Sequence, residues 1–245
     1  MRLKCIGCDA LARLIYLCAA TSPHLVDVSL YKLGLHRSPE NLQERLQAEI
    51  DTQVGQGYDA VVMVYGLCGR ATAGITARDV PVIIPRAHDC ITLFLGSRSR
   101  YTQQHENQPG TYWYSQDYIE RGSQDGSLTA LGASDAGALN IEDEYDRYVT
   151  KYGKDNADYL MEVMGAWRSH YQRAAFLDMG IGNSQNVEEK ARQEAARRGW
   201  AFERVPGDLS LIRRLLDGDW KEDFLILQPG QRLGMSYDED IIRAE

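Results

Sequence analysis

The residues best suited to chemistry are Cys8, Cys68, His88 and Cys90. The clearest local signal is the pair His88-x-Cys90, with Cys68 upstream in the glycine-flanked run Tyr65-Gly66-Leu67-Cys68-Gly69. Thiolate and imidazole are the usual ligands of zinc and of iron–sulfur centres. Ligands drawn from separate loops leave a coordination position open more readily than a closed finger does. A catalytic zinc needs that position to hold a thiol or water, and a cluster iron needs it to hold substrate. His88 suits three roles: metal ligand, proton donor or helix cap. Cys90 falls at an expected helix N-terminus, which predicts a thiol that ionises easily. Gly66 and Gly69 let the backbone approach whatever lies above Cys68. Arg86 could orient a carboxylate or phosphate of a substrate. In the absence of a metal, Cys90 and His88 would make a plain nucleophile–base pair. The spacing matches no regular zinc finger or ferredoxin run.

These residues gain meaning from the elements expected around them. Met1 to Gly7 reads as a short buried strand, and Asp9 to Ala20 as a helix with Asp9 as N-cap. Val26 to Leu30 is a second strand. Ser38-Pro39-Glu40 opens a helix running to about Gln53. Ala60 to Tyr65 is a continuous apolar run, the pattern of a strand covered on both faces, and Val80 to Ile84 is another strand. Asp89 to Leu95 begins a helix. Tyr112, Trp113 and Tyr114 read as core or loop packing, 119–138 as loop, and 141–167 as helix interrupted near Gly153. Strand–helix alternation resumes with strands at 173–179, 201–205 and 223–227 and helices at 186–198 and 208–217. This predicts an α/β fold with a mostly parallel sheet, helices on both faces, and two Rossmann-like halves around a helical middle. Residues 1–245 are expected to form one compact domain, with halves at 1–100 and 170–245 and a helical insert at 115–168.

Open α/β sheets bind ligands at the carboxyl ends of their strands. Cys8, Cys68 and Cys90 all fall there, whereas Cys5 lies within a strand and Cys18 within a helix, as core residues would. Gly180 and Gly182 follow another strand and could cradle an anion, although Gln185 breaks the full dinucleotide fingerprint.

Composition narrows the classes. The net charge of −8 gives a nucleic acid no overall attraction. No apolar run is long enough to span a membrane, and the N-terminus lacks the pattern of a secretory signal. An odd number of cysteines suits metals, catalysis or the core better than disulfides. The expectation is a soluble, cytoplasmic protein with a small-molecule substrate, with a homo-oligomer left open.

At Tyr65-Gly66-Leu67-Cys68-Gly69, Pro85-Arg86-Ala87-His88-Asp89-Cys90, Leu95-Gly96-Ser97 and Pro109-Gly110-Thr111-Tyr112-Trp113, the sequence resembles a prokaryotic family designated domain of unknown function 1638. The resemblance extends from Cys8 to Pro229-Gly230-Gln231-Arg232 and Tyr237-Asp238-Glu239, and it supports a site at Cys8, Cys68, His88 and Cys90. In ligand type alone, His-x-Cys plus a distant cysteine also resembles the zinc site of methyltransferases that move a methyl group from a corrinoid to a thiol. Here the extra cysteine precedes the His-x-Cys, and the chain is short for a complete (β/α)8 barrel.

Together these features predict a metal- or cluster-dependent enzyme acting on a small sulfur-bearing or methyl-transfer substrate, with zinc or an iron–sulfur cluster. The alternatives are a [4Fe–4S] enzyme that abstracts sulfur and a non-catalytic metal carrier serving a corrinoid protein.

Overall fold

The computed structural model describes residues 1–35, 38–122, 149–150, 154, 171–236 and 238–245. The expected helix over 141–167 lies almost wholly outside them, as does the expected loop beyond residue 122.

Strand β1 (Arg2–Cys8) lies between β2 (Leu25–Tyr31) and β3 (Ala60–Val64), and β3 pairs with β4 (Val82–Pro85). These pairings are parallel. All five residues of β3 are buried, as its unbroken apolar run requires. Alternation along the strands divides the core in two. Leu3, Cys5, Val62 and Val64 face helix α1 (Ala12–Thr21), whereas Ile6, Val61 and Met63 face α2 (Pro39–Thr52). The helices that follow β1 and β2 thus cover opposite faces of the sheet. The topological switch point therefore falls between β1 and β3, where ligands of such sheets bind.

Beyond β4 come α3 (Cys90–Leu95) and α4 (Arg98–Asn107), then β5 (Thr111–Ser115) and α5 (Gln116–Gly122). The aromatic segment is a buried strand, and residues 119–122 are helix rather than loop. β5 pairs in parallel with β6 (Arg173–Asp178), which pairs in parallel with β7 (Ala201–Pro206). Helix α6 (Gln185–Arg198) joins β6 to β7, and α7 (Ser210–Leu216) follows. β8 (Phe224–Leu227) then returns to the first sheet, antiparallel to β4. A short ribbon of β9 (Leu233–Met235) and β10 (Ile242–Ala244) ends the chain.

The second sheet therefore begins near residue 111, and β8 belongs to the first sheet. The expected halves at 1–100 and 170–245 are redrawn accordingly. One apolar cluster spans both sheets, joining Leu3, Cys5 and Val62 to Trp113, Leu177 and Val205. Among the described residues no helix is long and apolar enough to cross a membrane.

Candidate metal centre

Cys8 is the last residue of β1, Cys68 follows β3, and Cys90 opens the helix after β4. Adjacency in the sheet brings these three loops together. Backbone bonds hold two of them in register: the Leu67 amide donates to the Ala87 carbonyl at 2.8 Å and the Cys68 amide to the His88 carbonyl at 2.9 Å. Gly66 makes this approach possible. A Cβ built there would stand 2.8 Å from both the nitrogen and the Cα of Asp89. Cys68 and Arg70 take left-handed φ angles of 47° and 84°, so the loop holds backbone strain beside the thiol. Asp89 caps α3 by accepting a hydrogen bond from the Ile91 amide at 2.9 Å, which fixes Cys90 in the first turn.

Each thiol is embedded in protein yet keeps partial contact with solvent. Cys8 packs against both core clusters, Cys68 against one and Cys90 against the other. Burial pushes Cys8 up to about 11, with the Asp9 charge adding to it. Burial, Asp89 and Cys8 push Cys68 up to about 12. Cys90 is raised far above a free thiol by burial, then by Asp89, Cys68 and Cys8. The expected easy ionisation of Cys90 is therefore reversed. Desolvation and three neighbouring acids outweigh the dipole of a six-residue helix. The thiols lie within electrostatic reach of one another. Among the described residues, however, no three Cys, His, Asp or Glu side chains stand close enough together to grip one ion.

His88 is exposed, with its ring 5.9 Å from that of Tyr101. The Arg86 guanidinium donates to the Ile242 carbonyl at 2.6 Å and to that of Asp240 at 3.1 Å, which anchors the C-terminal ribbon. Gly69 lies in the 3-10 turn Cys68–Arg70. Gly180 and Gly182, both with positive φ, belong to the loop after β6 in the second sheet. Asp9 does not cap a helix; its carboxylate accepts from the Leu33 amide at 2.6 Å. Cys5 and Cys18 are fully buried core residues.

Helix α5 was missed in the sequence, although its charges sit beside the thiol site. Arg13 donates to Asp117 and Glu120, at 2.6 Å each, and Arg121 lies 3.9 Å from Asp9. The i,i+4 pairs Gln116–Glu120 and Asp117–Arg121 were the available signal.

Fold and site together define an open α/β protein with a cluster of free thiols at its switch point. The chain belongs to the family described as Protein of unknown function (DUF1638), which it matches over residues 30–216. Cys68, His88 and Cys90 fall inside that stretch and Cys8 precedes it. No curated protein and no solved structure matches the chain.

Proposed function

We propose that Cys8, Cys68 and Cys90 hold a metal centre with one open coordination position, and that the protein is an enzyme acting on a small sulfur-bearing substrate. The observation that carries this reading is the convergence of three thiols on the ends of three neighbouring parallel strands at the switch point. Their mutual effect supports it. Cys8 opposes the ionisation of Cys68, and both oppose that of Cys90, so the three thiols form a place that a cation would relieve.

Three cysteine ligands with one open position suit a [4Fe–4S] cluster, with a single zinc as the alternative. Cys8, Cys68 and Cys90 would hold such a cluster, and its iron without a cysteine would supply a Lewis acid for a substrate sulfur. The chain's own residues set the ligand geometry: Gly66 and the Cys68 amide seat one loop on the next, and Asp89 fixes Cys90. His88, exposed at the rim, is available to move a proton. Free thiols suit a reducing, cytoplasmic compartment.

The test is metal content in single variants purified without oxygen. Cys8→Ala, Cys68→Ala and Cys90→Ala are each expected to lose metal, and Cys18→Ala to keep it. Equal content in all four would end the proposal. One colourless zinc per chain would instead support activation of a substrate thiol, with a corrinoid as the methyl source.

A further inference from the structure

The charged groups on the second-sheet side of the thiols differ in how fully they are engaged. Helix α5 packs against the 3-10 turn Asp9–Leu11 that directly follows Cys8. Within this contact Arg13 makes short bonds, at 2.6 Å to both Asp117 and Glu120. Asp117, only 5% exposed, is thereby neutralised, and the Asp9 carboxylate already accepts from Leu33. Arg121 is held differently. Its Nη1 lies 3.9 Å from Asp9 and its Nε 3.7 Å from Asp117, both beyond hydrogen-bond length. Its side chain is 38% exposed.

We infer that Arg121 binds an anionic group of the substrate at the mouth of the thiol site, so that the substrate is an acidic sulfur compound; this rests on the thiol site proposed above. A guanidinium offers five donors in a planar fork that matches a carboxylate or phosphate. A bidentate anion would give Arg121 the short hydrogen bonds that Asp9 and Asp117 leave unmade. Asp9, 3.9 Å from the guanidinium, directly follows Cys8, which places the anion subsite beside the metal ligands. Arg86, the residue expected in this role, is bound to backbone carbonyls instead.

The experiment compares two thiols of equal length, 3-mercaptopropionate and its neutral amide. Each is titrated into the metal-loaded full chain and followed by the visible spectrum of the centre. Wild type is expected to bind the acid about tenfold more tightly than the amide. Arg121→Gln should lose that preference with metal content and amide affinity unchanged, and Arg121→Lys should retain part of it. No preference in wild type, or an equal preference in Arg121→Gln, overturns the inference while leaving the metal site standing. If the protein binds no metal, the thiol-site proposal fails by itself, and Arg121 is judged by alkylation of Cys8, quantified by mass spectrometry. The rate ratio of iodoacetate to iodoacetamide should fall roughly threefold or more in Arg121→Gln; an unchanged ratio overturns the inference.

Discussion

At the scale of single residues, Asp89 couples stability to site geometry, because its carboxylate holds both the first turn of α3 and the position of Cys90. Asp89→Ala is expected to cost about 1 kcal/mol in chemical denaturation, whereas Asp89→Asn keeps an accepting oxygen and most of that stability. Glu49 makes a separate prediction. Burial pushes its carboxyl up, but hydrogen bonds from Lys4 and Ser29 outweigh burial and hold it below its ordinary value. A carboxyl depressed in the folded state adds stability above its unfolded pKa and loses it as pH falls through the folded value. Glu49→Gln should therefore be less stable than wild type at pH 7, by on the order of 1 kcal/mol. The gap should close in denaturant titrations toward pH 3, and a gap that persists there would refute the assignment. The cysteines were legible as a group because strand-end position is a sequence property. The state of Cys90 was not, since it depends on Asp89, Cys68 and Cys8 arriving from three different loops.

At the scale of elements, the seam between the loops after β3 and β4 decides whether Cys68 and Cys90 meet. Gly66→Ala drives a methyl group into the backbone of Asp89. It is expected to cost about 1–3 kcal/mol and to lower metal content. Gly180→Ala makes the control. Its φ of 64° also disfavours a side chain, but a Cβ there meets nothing within 4 Å, so it should cost about 1 kcal/mol and leave metal in place. Circular dichroism and metal analysis of the two variants separate strain from site damage; equal metal loss in both would remove the special role of the seam. The β3 strand was legible from its unbroken apolar run. β5 was not, although Thr-Tyr-Trp-Tyr-Ser has strong strand propensity, because the strand is brief and no alternation reveals a strand buried on both faces. Missing β5 hid α5 and, with it, Arg121.

At the scale of the whole molecule, the two sheets share one apolar cluster, so neither has a complete core alone. Unfolding by denaturant is expected to be a single transition, with intrinsic tryptophan fluorescence and far-UV circular dichroism coinciding. Two separated transitions would mean that the sheets fold independently. The parallel sheet and its carboxyl rim were readable from strand–helix order, because right-handed crossovers leave few topologies. The return of β8 beside β4 was not, since an antiparallel edge strand has the same apolar sequence as a parallel one.

The central claim is that the fold exists to bring three cysteines around a metal centre. The most direct measurement is iron, acid-labile sulfide and zinc content, with a visible spectrum, on protein purified without oxygen. About four irons and four sulfides per chain are expected, with a broad brown absorption near 400 nm that disappears in Cys68→Ala. Protein that carries no metal as purified and takes up none on anaerobic reconstitution would contradict it.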